Sequence, residues 1–167
     1  NYREPKKIMA GESFISPEAL LKRLDDTAKS GHKIHISEVT ITGNDDSPKS
    51  RARQALYAEN QYRLWFSYPN VMGITWWNTV DDCGMKNEPS HSGIFTRDMQ
   101  TKPVYHVLDN LINKEWKTNL TVKPDSDGKI SFRGFRGTYK ISWKDKYGRD
   151  RQMLYHLSLI HISEPMR

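Results

Sequence analysis

The first 116 residues alternate between amphipathic stretches with helical spacing and short apolar runs. Ser16 and Pro17 precede leucines spaced three and four residues apart, and Gly31 follows them. A serine cap, a proline in the first turn and a glycine after the last turn predict a helix. The β-branched run of residues 33–41 (KIHISEVTI) comes next and predicts a strand.

The same order is repeated further along the chain. Apolar positions in Pro48–Ser67 recur at helical spacing until Pro69, residues 71–77 (VMGITWW) form a short apolar run, and a third helix is predicted over about 102–116. Helices that alternate with strands predict an α/β fold with a parallel sheet. Because two strands would leave unpaired edges, we expect more β/α units before Asn1, and this part to be one sector of a larger barrel.

The pattern changes after Trp116. A turn-rich stretch is followed by three short candidate strands, which are residues 130–132, 138–143 and about 152–159, separated by glycines. This pattern of short strands separated by turns predicts a small antiparallel β appendage. The expected organisation is a barrel part over residues 1–116, the β-rich appendage over 117–156 and a tail over 157–167.

Charge is distributed unevenly along the chain. The whole net charge of +6 lies in residues 116–152, which hold ten Lys or Arg and four Asp. We favour a solvated basic surface and expect no nucleic acid as partner. The alternative is a module that stacks single-stranded nucleic acid, since the aromatic residues Phe132, Phe135, Tyr139 and Trp143 alternate with these cations.

Several other classes are disfavoured by composition. No run approaches the roughly 20 apolar residues that cross a bilayer, so we expect a soluble protein without a membrane partner. Cys83 is the single cysteine, and the six histidines lack ligand spacing. We therefore predict no metal site and no cofactor.

Glu38 is the first candidate for chemistry. It lies near the carboxyl end of a predicted strand, where barrels gather their active sites. Strict alternation would place it on one face with Ile34 and Ile36, and His35 on the other. The alternative is an ion-paired surface glutamate.

Two adjacent tryptophans at the end of the next predicted strand favour a sugar site. Trp76 and Trp77 are followed by Asn78 and Asp81, which combines a flat apolar ring with hydrogen-bonding groups. Neighbouring strand residues point to opposite faces, so at most one indole lines the site and the other packs under helices. The alternative is that both are core residues. These four residues are the candidate substrate-binding set.

Three segments carry a family resemblance over about residues 12–116. HISEVTI, ENQYRLWFSYPNVMGITWWNTVDD and GIFTRDMQTKPVYHVLDNLI resemble strand seven through helix eight of glycoside hydrolase family 10, the endo-β-1,4-xylanases, in a form found in gut and rumen bacteria. The resemblance implies strands seven and eight of a (β/α)8 TIM barrel with their flanking helices. It implies that Glu38 is the nucleophile and that Trp77 lines the subsite of the attacked sugar, followed by Asn78 and Asp81.

The resemblance also implies a retaining mechanism with a second carboxylate as acid/base. In the family that glutamate lies on strand four, before Asn1, so we expect this polypeptide to be inactive by itself. The implied partner is xylan or xylo-oligosaccharide, with a monomeric full-length protein that is secreted or periplasmic. A non-catalytic carbohydrate-binding piece is the alternative. Thr40 stands where the family has Asp, and a second loop Trp is absent between Asp82 and Gly93.

The end of the chain has an unusual sequence. LSLIHISEPMR, residues 157–167, resembles the translation of sequencing-adapter read-through, which predicts a non-native tail. The alternative is a genuine final strand.

Overall fold

The computed structural model describes residues 16–157. The chain divides into two compact units between Leu111 and Ile112. The predicted domain limits stay predictions. The elements of the first unit are α1 (Pro17–Ala28), β1 (Ile34–Val39), α2 (Pro48–Ser67), β2 (Val71–Trp76) and α3 (Pro103–Asn110), and those of the second are β3 (Gly137–Lys144) and β4 (Asp150–Leu157).

The first unit has the predicted order of helices and strands. β1 and β2 pair in parallel, with Ile36 opposite Ile74. Ser16 caps α1, since its hydroxyl accepts a hydrogen bond from the backbone N–H of Ala19 at 3.2 Å. α2 spans the predicted residues, whereas α3 is shorter than predicted and continues as a π-helical turn over Leu111–Glu115.

The core of the first unit lies between the parallel strands and the helices. Ile41, which follows β1, is 0% exposed. Further buried apolar side chains come from all three helices, from β1 and from the π-helical turn, and they are Leu20, Leu24, Val39, Ala55, Ala58, Tyr62, Trp65, Val104, Leu108 and Leu111. This packing stabilises the carboxyl end of β1.

The second unit contains an antiparallel hairpin, as expected for the appendage. β3 pairs with β4 from Gly137 opposite Leu157 to Lys144 opposite Asp150. The prediction of a strand at residues 130–132 is wrong, because no neighbouring strand pairs with this segment within residues 16–157. A short segment such as Ile130, Ser131 and Phe132 forms a strand only when a ladder satisfies its backbone groups.

Residue 157 ends β4, and the remaining residues of the predicted non-native tail, 158–167, lie outside the described part. Among residues 16–157, no helix has the length and apolar character needed to cross a membrane.

Candidate active site

Glu38 and Trp77 lie at the same end of the two parallel strands. Val39 is paired with Trp76, and the backbone N–H of Trp77 donates to the carbonyl of Val39 at 3.0 Å. The Glu38 side chain is exposed, and the Trp77 side chain is 44% exposed. The structure therefore brings the candidate nucleophile and the candidate sugar platform to one edge of the sheet.

The simple alternation expected for β1 is wrong beyond Ile36. Three β1 residues from Ser37 to Val39 oppose two residues of β2, which is the signature of a β-bulge. As a result Val39 is buried, while Ser37 and Glu38 are both exposed. The bulge turns Glu38 out of the half-buried face of Ile36, which is how bulges re-aim side chains beside active sites.

Trp76 and Trp77 have different environments. The Trp76 indole N–H donates to the carbonyls of Asn78 at 2.9 Å and Ser92 at 3.1 Å, and its ring lies 6.4 Å from that of Tyr62 on α2. Trp76 thus packs under a helix, and the division between the two tryptophans follows the alternation of β2. A contact between Trp76 and substrate stays a prediction.

The exposed indole of Trp77 has a carboxylate partner that sequence reasoning missed. Its N–H donates to Oε1 of Glu88 at 2.9 Å. Hydrogen bonds from the side chain of Asn78 and then from Trp77 lower the pKa of the Glu88 carboxyl. Glu88 is therefore ionised at neutral pH.

Asn78 and Asp81 use their polar groups within the protein. The Asn78 amide donates to the hydroxyl of Ser92 at 2.9 Å. Asp81 is 3% exposed and accepts from the backbone N–H of Gly93 at 2.7 Å and from Nζ of Lys102 at 2.9 Å. Both residues hold the loop after β2, and their contact with a substrate stays a prediction.

Gln54 on α2 connects the site to the helix layer. Its buried amide nitrogen lies within hydrogen-bonding distance of three backbone carbonyls, which are Ile41 at 2.8 Å, Gly93 at 3.1 Å and His91 at 3.3 Å. These contacts tie the end of β1 to the loop after β2. Rigid support of this kind keeps site groups in a constant geometry.

Three potential metal ligands meet beside this loop. Oxygen or nitrogen atoms of Asp46, Asp81 and His91 all lie within 4.8 Å of one another. Each carboxylate already faces a cation, since Lys102 pairs with Asp81 at 2.9 Å and Arg51 with Asp46 at 3.1 Å. The Arg51 hydrogen bond lowers the pKa of Asp46. The cluster is charge-balanced without a metal ion.

The basic segment carries its own counter-charges. In the hairpin, Lys144 pairs with Asp150 at 2.8 Å, and Arg149 and Arg151 both reach Asp145, at 3.2 and 3.1 Å. These exposed pairs add little stability. They reduce the positive field that would attract a nucleic acid. The expectation of no nucleic-acid partner stays a prediction.

Sequence signals for the missed residues differ. Lys102 directly precedes α3, in the sequence Lys-Pro-Val-Tyr. It lies outside any periodic pattern, so the sequence does not predict that its side chain is buried. Gln54 lies on the buried side of an amphipathic helix. A polar residue at such a position is expected to have hydrogen-bond partners, so the sequence could have indicated its role. Glu88 lies in a polar loop, and no pattern along the chain points to it.

Comparison with known proteins adds a family and a fold. A model of glycosyl hydrolase family 10 matches residues 8–111. The anti-sigma-I factor RsgI6 of Acetivibrio thermocellus is 31% identical over 104 residues, which are 62% of this chain and 13% of that protein. The chain thus spans a small part of this relative.

Solved structures that are similar to the chain include a β-glucuronidase and a xylanase. A β-glucuronidase from Faecalibacterium prausnitzii has 20% identity and a TM-score of 0.51 over 66% of this chain and 19% of its own. An intracellular xylanase from Thermoanaerobacterium saccharolyticum, in complex with xylotetraose, has 19% identity and a TM-score of 0.49 over 55% of this chain and 29% of its own.

The likeness to the β-glucuronidase shows the fold of the first unit, a sector of a TIM barrel with two parallel strands and flanking helices. The family match includes both strands and the loop that carries the candidate site residues. It covers more than half of the sequence. The chain belongs to glycosyl hydrolase family 10.

Proposed function

We propose that this chain contributes the nucleophile and one sugar-stacking wall to a retaining endo-β-1,4-xylanase. The observation that carries the proposal is that Glu38 and Trp77 are both exposed at the carboxyl end of paired parallel strands. In barrel enzymes that end forms the active site. An indole there stacks on the apolar face of a sugar, and the adjacent carboxylate attacks its anomeric carbon.

A retaining hydrolase needs a second carboxyl group about 5 to 5.5 Å from the nucleophile as acid/base. Asp81 is held in a buried ion pair, and Glu88 has a lowered pKa, the reverse of what a general acid requires. We infer that the acid comes from another part of the barrel. The 167-residue chain by itself is then inactive on xylan, because loss of one member of a cooperative site removes most of the acceleration.

Two measurements test this function. A mechanism-based fluoroxyloside should label Glu38 in a protein with the complete barrel, and Glu38→Gln should abolish labelling, whereas the surface control Glu18→Gln should not. The purified 167-residue chain should not hydrolyse xylo-oligosaccharides. Labelling of another residue, or turnover by this chain near that of an intact family member, would refute the proposal.

Carbohydrate binding without cleavage is the second candidate. It is favoured by the alignment, 31% identical over 104 residues, with a protein named as an anti-sigma-I factor, a name that does not denote an enzyme. This reading keeps Trp77 as a sugar platform and gives Glu38 no covalent step. Binding of xylo-oligosaccharide by the complete protein without fluoroxyloside labelling would support it.

The proposed partner is xylan or its oligosaccharides, and we propose a monomeric full-length protein. Polymeric xylan lies outside the cell, so the proposed location is extracellular or periplasmic. Fractionation of cells that express the complete gene would test the location.

A further inference from the structure

The loop after β2 returns to the edge of Trp77 and positions a carboxylate there. Glu88 accepts the indole N–H of Trp77 on Oε1 at 2.9 Å and the backbone N–H of Met85 on Oε2 at 3.2 Å. One donor belongs to the proposed sugar platform and the other to the loop. The carboxylate is therefore held at a constant position relative to the indole ring.

The backbone on both sides of Glu88 is also held. Its own N–H donates to the carbonyl of Met85 at 3.0 Å. The buried hydroxyl of Ser92 donates to the carbonyl of Pro89 at 2.7 Å and accepts from the amide of Asn78 at 2.9 Å. A side chain on such a supported loop keeps its geometry better than one on a free loop.

Gly84 makes room for this arrangement. A Cβ atom at that position would overlap Oε2 of Glu88. Alanine at this position would therefore displace the Glu88 carboxylate without changing the net charge. The Glu88 carboxylate can thus be moved by a substitution at Gly84 and neutralised by a substitution at Glu88 itself.

The carboxylate has limited capacity for further partners. It offers about four lone-pair sites, and Trp77 and Met85 occupy two of them. A remaining site can accept a sugar hydroxyl, but a second carboxylate beside it would be repelled. Lys86, the other charged residue of the 83–90 segment, forms no ion pair with Glu88 within the described chain.

We propose that Glu88 is a specificity-determining residue that favours neutral xylo-oligosaccharides over those with a uronic acid branch next to Trp77. The inference rests on the proposed function, because it needs Trp77 to hold a sugar. It concerns the loop after β2, which carries a carboxylate at the edge of the Trp77 indole.

NMR of a 15N-labelled protein with the complete barrel tests this on the Trp77 indole N–H resonance, which Trp77→Phe identifies. The probes are xylotetraose and the same tetrasaccharide with one glucuronic acid branch, each titrated at low salt. Wild type should bind the acidic probe about two- to fivefold more weakly than the neutral one, and about 1 M NaCl should remove the difference.

Two variants separate charge from position. Glu88→Gln keeps the shape and should lose most of the discrimination, because only the carboxylate of Glu38 then remains beside Trp77. Gly84→Ala should shift the Trp77 indole resonance and reduce the discrimination. Glu18→Gln, in the first turn of α1, changes the net charge equally and should behave as wild type.

The outcomes are distinguishable. Equal binding of both probes by wild type, or discrimination that survives Glu88→Gln and Gly84→Ala, would overturn the role of Glu88 while the sugar site stands. If neither probe shifts the Trp77 resonance, the sugar site itself fails, and the role of Glu88 with it.

Discussion

The two compact units are stabilised in different ways. In the first unit, helices and parallel strands bury a continuous apolar core, together with a buried ion pair between Asp81 and Lys102. In the described part of the second unit, Ile112–Leu157, no side chain is fully buried. A main-chain ladder, a turn and exposed ion pairs hold the hairpin.

The difference shows where a functional site can be built. A two-stranded hairpin is marginally stable in water, because it buries too little apolar surface to offset chain entropy. A catalytic group needs supporting contacts on several sides. Those contacts surround the loop after β2, so the site belongs to the first unit.

The largest expected effect comes from the buried ion pair. Asp81→Ala would leave Lys102, which is 1% exposed, as an unpaired buried cation. We expect a loss of about 3–5 kcal/mol in the free energy of unfolding, measured by urea denaturation. The double variant Asp81→Leu with Lys102→Met should lie closer to wild type. A loss of under about 1 kcal/mol for Asp81→Ala would mean that water reaches the pair.

The next prediction compares the stability lost when an apolar side chain is truncated in each of the two units. Ile41→Ala should cost about 2–5 kcal/mol, since the side chain is fully buried at the end of β1. Leu154→Ala, on a hairpin residue that is 74% exposed, should change stability by no more than about 0.5 kcal/mol. Similar losses in urea denaturation would show that the hairpin side chain is covered in solution.

A smaller effect is expected to stay within the hairpin. Gly148 has a φ of 75° in the turn between β3 and β4, so Gly148→Ala should cost about 1–2 kcal/mol. Amide hydrogen exchange should become faster in β3 and β4 and remain unchanged in β1 and β2. Lys140→Ala, on an exposed residue of β3, is the control. Faster exchange in the parallel strands would show that the substitution also destabilises the first unit.

The last effect is absent at neutral pH and appears only at alkaline pH. Burial raises the pKa of Tyr62 from 10.0 to about 12. The folded state holds this proton more tightly than the unfolded chain, so its contribution to stability is present below about pH 10 and is lost as pH rises toward 12. As pH rises over that range, the urea midpoint of Tyr62→Phe should fall less than the urea midpoint of the wild type. Tyr147→Phe, on an exposed residue, should follow wild type.

Local pattern determined much of the first unit. The Ser-Pro start of α1, the apolar spacing of α1 and α2 and the two short runs rich in β-branched or apolar residues predicted the elements closely, because caps and amphipathic periodicity act within a few residues. The same signals placed Glu38 and Trp77 at strand ends. The strand expected at 130–132 failed, because pairing depends on a distant partner.

The sequence by itself thus determined the α/β pattern, the family and the two central candidates, Glu38 and Trp77. Only the tertiary structure decided that a bulge exposes Glu38, that Asp81 is buried against Lys102, and that Glu88 meets the Trp77 indole. The physical reason is that strand register and loop closure bring together residues that are distant in the sequence and follow no local periodicity. The contact partners of such residues are therefore set by the packing of the whole unit.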